Sequence, residues 1–95
     1  TYWADIDTHG IAILDRLRAL VPQARSLLMN RETLLAYRAL WTFESASHHA
    51  DLRHLDSSER ATYDDIRLNR FGIGVRLEQE RIPYGRICSA LSQYR

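Results

Sequence analysis

Apolar positions along the chain fall into short groups with different spacings. Tyr2-Trp3-Ala4 and Ile6 make an extended, mostly apolar opening over residues 2–6. Asp7-Thr8 then offers a helix N-cap ahead of Ile13, Leu14, Leu17, Leu20 and Val21. Their i, i+1, i+4, i+7, i+8 spacing predicts an amphipathic helix that Pro22 stops. Ser26-Leu27-Leu28-Met29 has the length of a buried strand, and Asn30 can cap a second helix with Leu34, Tyr37 and Trp41 on one face. The period is lost over 42–55, a loop-like stretch containing Ser and His. Asp56, three residues before Glu59, gives a capping-box start to a polar helix over about 57–69, placed at the periphery by its low apolar content. Gly72 and Gly74 mark a turn and 75–82 alternates like a strand. Pro83 opens a last helix with Tyr84, Ile87, Leu91 and Tyr94 on one face. The β-α-β-α order predicts right-handed crossovers between parallel strands, hence a three-layer, Rossmann-like α/β domain with a mainly parallel sheet.

Ninety-five residues, 45% apolar and 26% charged, bound the answer to one small domain, 1–95, with one core. A chain of this size buries only about two-thirds of the surface it exposes when unfolded, so its stability margin is small. Thirteen basic and twelve acidic residues give a net charge of +1, which excludes a broad positive field of the kind that coats nucleic acid or a membrane. All the bases are Arg, a compositional bias without a structural need. The single cysteine, Cys88, cannot close an internal disulfide. No run approaches the ~20 apolar residues of a membrane span, and no leader opens the chain, so a cytoplasmic location is expected. Thr1 followed at once by strand-like residues reads as the inside of a longer protein.

The candidate chemistry lies in Ala4-Asp5-Ile6-Asp7-Thr8-His9-Gly10. With a strand period of two, Asp5 and Asp7 project from one face near the strand's C-terminal end, where open α/β sheets bind ligands. Two carboxylates that close repel unless a cation neutralises them, and an all-oxygen set suits Mg²⁺ or Mn²⁺. The helix N-terminus that follows adds N–H groups suited to a phosphate. The plainer alternative is that Asp7 or Thr8 only caps the helix and Asp5 is a solvated strand end.

A second acidic pair stands in Arg76-Leu77-Glu78-Gln79-Glu80-Arg81, where alternation puts Arg76, Glu78 and Glu80 opposite Val75 and Leu77. Glu78 or Glu80 is then either a further ligand or base, or a member of an edge strand paired with Arg76 and Arg81. His48, His49 and His54 match no zinc spacing and read as exposed loop residues. Cys88 reads as a small packing residue. Trp3, Tyr37 and Trp41 are spaced as core, and Arg16, Arg18, Arg25, Arg31 and Arg38 as solvated faces.

Three runs carry a resemblance: Tyr2-Trp3-Ala4-Asp5-Ile6-Asp7-Thr8-His9-Gly10 with Ala12-Ile13-Leu14-Asp15-Arg16-Leu17, then Arg25-Ser26-Leu27-Leu28-Met29, then Arg76-Leu77-Glu78-Gln79-Glu80-Arg81-Ile82-Pro83. Together they resemble the C-terminal domains of JetD, the nuclease subunits of bacterial Wadjet plasmid-defence systems. The resemblance implies a Toprim fold related to the topoisomerase VI A subunit. It also implies Mg²⁺- or Mn²⁺-dependent cleavage of double-stranded, circular plasmid DNA by a homodimer working with an SMC-type JetABC complex. By position, Asp5 and Asp7 match the metal-holding DxD, and His9 and Gly10 match the turn after it, beside the DNA phosphate. The resemblance further implies a glutamate on an earlier strand and an upstream winged-helix region, neither of which these residues match. Glu78 and Glu80 match a family run that would extend the catalytic set.

Two rivals remain open. A phosphotransferase of the haloacid dehalogenase type also opens on a DxD after an apolar strand, but needs Thr or Val where His9 stands and an apolar residue where Gly10 stands. A non-catalytic α/β module for dimerisation or docking would hold no metal.

Overall fold

The computed structural model describes residues 2–44 and 50–92. Among these residues there are four α-helices, α1 (Thr8–Leu20), α2 (Arg31–Ala36), α3 (Ser57–Arg67) and α4 (Tyr84–Ser92), with 3-10 turns at Arg38–Leu40 and Gln79–Arg81. Strand is confined to β1 (Thr42–Phe43) and β2 (Val75–Arg76), which pair antiparallel with Thr42 opposite Arg76 and Phe43 opposite Val75. No helix among the described residues is long and apolar enough to cross a membrane.

This architecture overturns the expected three-layer, mainly parallel Toprim-like or Rossmann-like sheet. Residues 2–6 are extended, yet they pair one residue at a time: Tyr2 bridges Ser26 in parallel and Ile6 bridges Leu77 antiparallel. Leu28 sits at φ 57°, which turns the 26–29 run out of the extended region. Beyond Leu77 the chain winds into the 3-10 turn at Gln79–Arg81 instead of continuing as a strand to residue 82. Each ladder therefore ends after one or two residues. Leu27, Leu28 and Met29 are buried as the apolar run requires, but as core-filling residues of an irregular segment.

The helix starts follow the local chemistry. Asp7 caps α1 by accepting the Gly10 N–H at 2.6 Å, and Asn30 caps α2 by accepting the Thr33 N–H at 2.8 Å. At α3 the full capping box forms: Glu59 N–H donates to Asp56 Oδ1 at 2.8 Å and Asp56 N–H to Glu59 Oε1 at 3.0 Å. Pro22 follows the end of α1 directly, and Asn69, at φ 55°, provides the left-handed stop after α3. Gly74 needs its missing Cβ twice over, because its φ is +68° and a Cβ would fall on the Glu44 carbonyl.

Which faces are buried differs from the stripes. On α1, Ile11, Ala12 and Leu14 are buried while Ile13 is exposed and Leu20 is 84% exposed, because the single long neighbour of α1, α3, covers one side only. α2 ends at Ala36, so of its predicted trio Leu34 alone is fully buried; Trp41 follows the 3-10 turn and donates its Nε1–H to the Leu34 carbonyl at 2.8 Å. Tyr84 and Leu91 of α4 are exposed and Ala90 is its buried residue; Cys88 is exposed rather than packed, and Tyr94 lies outside the described residues.

The largest correction concerns α3, which is central. It packs on α1 and α2, buries Thr62, Tyr63 and Ile66 in the core with Ile6, Ile11, Leu34, Val75 and Leu77, and also buries the carboxylates of Glu59 and Asp65. Those charges are tolerated inside because each is paired, Glu59 with Arg18 and Asp65 with Arg31 and Arg70. Arg18 therefore belongs to an interior ion pair and not to a solvated face, whereas Arg31 is exposed, as expected, and reaches the buried Asp65 from the surface.

Candidate functional site

The extended opening segment carries Asp5 and delivers Asp7 as the N-cap of α1. The Ile6–Leu77 bridge sets what faces them: in an antiparallel pair the flanking positions place Arg76 across from Asp7 and Glu78 across from Asp5 on the same side. The side chains confirm this register. Arg76 Nη2 donates to Asp5 Oδ2 at 2.7 Å, and its Nε lies 3.1 Å from Asp7 Oδ2 as an ionic contact without hydrogen-bond alignment. The second oxygen of each carboxylate is held by main chain: Gln79 N–H donates to Asp5 Oδ1 at 2.8 Å and Gly10 N–H to Asp7 Oδ1 at 2.6 Å. Both aspartates thus point one oxygen at the same cation and anchor the other on the backbone.

Gly10 is what lets the helix come this close. A Cβ there would fall on the Asp5 carbonyl oxygen and stand 3.2 Å from Asp7 Oδ1. Tyr2 adds to the clamp by donating its hydroxyl to the Gly10 carbonyl at 3.0 Å. Burial, then the charges of Asp7 and Asp5, push the Tyr2 phenol above its usual range, the opposite of what an activated nucleophile needs.

The site is acidic and only partly neutralised. Burial pushes the Asp7 carboxyl up and the Asp5 charge adds to this, against the Gly10 N–H, Arg76 and His9 acting the other way. Glu44, which the sequence reading did not single out, joins the cluster. Its Oε1 accepts from Thr8 Oγ1 at 3.4 Å, and burial followed by the nearby Asp7 charge raises it. The guanidinium of Arg76 is held in its charged form above the usual arginine value, first by its hydrogen bond to Asp5, with the charges of Asp7, Asp5 and Glu78 also contributing.

The remaining expected residues are placed unequally. Glu78 accepts from Thr42 Oγ1 at 3.3 Å and lies 3.9 Å from Arg81, at the rim of the cluster. Glu80 is exposed on the 3-10 turn, so Glu78 and Glu80 do not share the face that a continuing strand would have given them. His9 is exposed on the first turn of α1, close enough for its charge to bear on Asp7 and Glu44. His54 is exposed, and His48 and His49 lie outside the described residues.

In donor chemistry the Asp5–Asp7 pair fits a hard divalent cation, as two oxygen ligands already converging on one positive charge. No group of three His, Cys, Asp or Glu among the described residues is arranged to hold a metal. One further oxygen is unspoken for nearby: Gln79 Oε1, buried without a donor, on the residue whose N–H holds Asp5. The sequence offers Arg76 only as an edge-strand partner of Glu78 and Glu80, and Gln79 in no role, because only the Ile6–Leu77 pairing brings them to the aspartates, across more than seventy residues.

Among curated proteins, none matches the chain. A family model described as Wadjet protein JetD, C-terminal, matches residues 1–91. The chain belongs to the JetD C-terminal family. Membership connects this domain with Wadjet defence and the Wadjet complex. Asp5, Asp7 and Arg76 all lie within the matched residues.

Proposed function

We propose that this domain supplies two carboxylates, Asp5 and Asp7, to a metal-dependent DNA endonuclease of Wadjet defence. In this reading the nuclease cuts circular double-stranded plasmid DNA as a homodimer, working with the SMC-type JetABC complex. The observation that carries the reading is the convergence of one oxygen from each aspartate on a single cation, with the other oxygens fixed by the Gln79 and Gly10 amides. Asp5 and Asp7 would hold Mg²⁺ or Mn²⁺, which when bound stabilises negative charge on a scissile phosphate and lowers the pKa of an attacking water. The chain's own part is positional. Gly10 keeps the first turn of α1 against the Asp5 carbonyl, Asp7 is held in a buried place by the Gly10 N–H, and the α1 N-terminus with His9 favours an anion beside it.

One observation favours a second reading, a docking module without metal. All four carboxylate oxygens already have a partner in Arg76 or the backbone, which is what a purely structural knot would look like. The two readings separate with the full-length protein, Mn²⁺ and supercoiled plasmid, comparing wild type with Asp5→Asn and Asp7→Asn. Asn at position 7 keeps an oxygen for the Gly10 N–H, so the cap survives, while the oxygen that faces Arg76 is replaced by an amide NH2. The nuclease reading expects plasmid nicking to fall at least about a hundredfold in either variant while circular dichroism shows it still folded. Equal nicking by wild type and both variants refutes it.

A further inference from the structure

The two aspartates are anchored independently of the cation they share. Asp5 Oδ1 is held by the Gln79 amide and Asp7 Oδ1 by the Gly10 amide, so removing the Arg76 side chain leaves both carboxylates positioned. Arg76 itself is held less completely. It makes one hydrogen bond to the pair, through Nη2, while its Nε is buried against Asp7 without an aligned acceptor. Its side chain is 37% exposed, against 24% for Asp5 and 6% for Asp7, so the guanidinium is the most open to solvent of the three and Asp7 the least.

From this asymmetry we infer that Arg76 is a displaceable counter-ion: it occupies the divalent-cation position between Asp5 and Asp7, and metal enters only in exchange for it. The inference rests on the metal reading above and deepens it by making metal loading conditional. A fixed pair of carboxylates cannot accept a divalent cation beside a guanidinium at 2.7 and 3.1 Å, because the two positive charges would share one small volume. Once displaced, the guanidinium is a bidentate phosphate donor on a flexible stem next to the loaded site. A phosphodiester therefore favours the exchange twice, by ligating the metal and by receiving Arg76. Metal and DNA backbone should bind cooperatively, and the metal alone weakly. The arrangement also neutralises buried Asp7 when no metal is present, which accounts for an arginine at a position where it would otherwise compete with function.

The test uses the full-length protein with Mn²⁺ as probe, bound ion being read from loss of the free Mn²⁺ electron paramagnetic resonance signal. Arg76→Gln is expected to bind Mn²⁺ about tenfold more tightly than wild type without DNA, the effect of losing two partly exposed ion pairs as competitors. A short DNA duplex should tighten Mn²⁺ binding to wild type by a larger factor than to Arg76→Gln, which keeps only the phosphate's ligation of the metal. Metal-free Arg76→Gln should melt below wild type and recover more on adding Mn²⁺. Equal or weaker Mn²⁺ binding by Arg76→Gln overturns the exchange and leaves the metal reading standing. Absence of Mn²⁺ binding in both proteins, with and without DNA, overturns the metal reading and the exchange with it. If circular dichroism shows Arg76→Gln unfolded, Arg76→Lys carries the same comparison, since a single ammonium cannot bridge both carboxylates as the guanidinium does.

Discussion

Glu59 gives the sharpest test of how this domain is held together. Its carboxylate is 2% exposed on α3, yet Arg18 pairs with it through both terminal nitrogens, Ser26 Oγ donates to it, and the Asp56 N–H closes the capping box on it. Burial pushes its pKa up, but the hydrogen bonds from Arg18, Ser26 and Asp56 outweigh this and hold the carboxyl below the usual glutamate range. In Glu59→Gln the negative charge is lost and one of the two oxygens facing Arg18 becomes an NH2 donor, while Arg18, only 15% exposed, keeps its bonds to the carbonyls of Ala24 and His54. Breaking a buried pair from one side costs about 3–5 kcal/mol, because the other charge stays inside uncompensated. A domain of this length holds about 5–14 kcal/mol in total. The substitution should therefore remove about a fifth of the stability or more, read as a fall in the urea midpoint at pH 7 with an unchanged m-value. Replacing both partners, Arg18→Met with Glu59→Leu, should recover most of the loss, since an apolar pair needs no countercharge. The sign with pH follows from the lowered pKa: the contribution is complete above the ordinary glutamate value and is lost as pH falls through the folded one. A Glu59→Gln midpoint within about 1 kcal/mol of wild type, or a wild-type acid limb no steeper than the variant's, would refute the account.

Two glycines should respond in opposite directions. Gly10→Ala puts a methyl group onto the Asp5 carbonyl and should cost about 1–3 kcal/mol as α1 is forced off the opening segment, measured by thermal or urea unfolding; an unchanged midpoint would mean the helix is free to shift. Gly85→Ala, on the first turn of α4 where a Cβ meets nothing within 4 Å, should stabilise by about 0.5 kcal/mol, and a loss instead would show that the α4 start is not as open as described.

What could be read from the residues alone was local. Asp7, Asn30 and the Asp56–Glu59 box each act on an N–H three residues away, so their geometry is set within one turn whatever the rest of the chain does. The same holds for Pro22 as a helix stop and for the Gly72–Gly74 turn, both Gly residues having positive φ. The adjacency of Asp5 and Asp7 belongs here too, since alternation along five extended residues already puts both on one side. Tertiary structure decided what lies far apart along the chain. Whether 26–29 and 75–82 become strands depended on partners, and with a left-handed Leu28 and a 3-10 turn at Gln79–Arg81 the ladders closed after one or two residues. The polar α3 became central because Arg18, Arg31 and Arg70 converge on its buried acids, a balance of desolvation against pairing that no single segment contains. Arg76 reaches Asp5 across seventy-one positions for the same reason: one main-chain pairing, Ile6 with Leu77, carries it there, and pairings between distant segments are chosen by the whole core rather than by either segment.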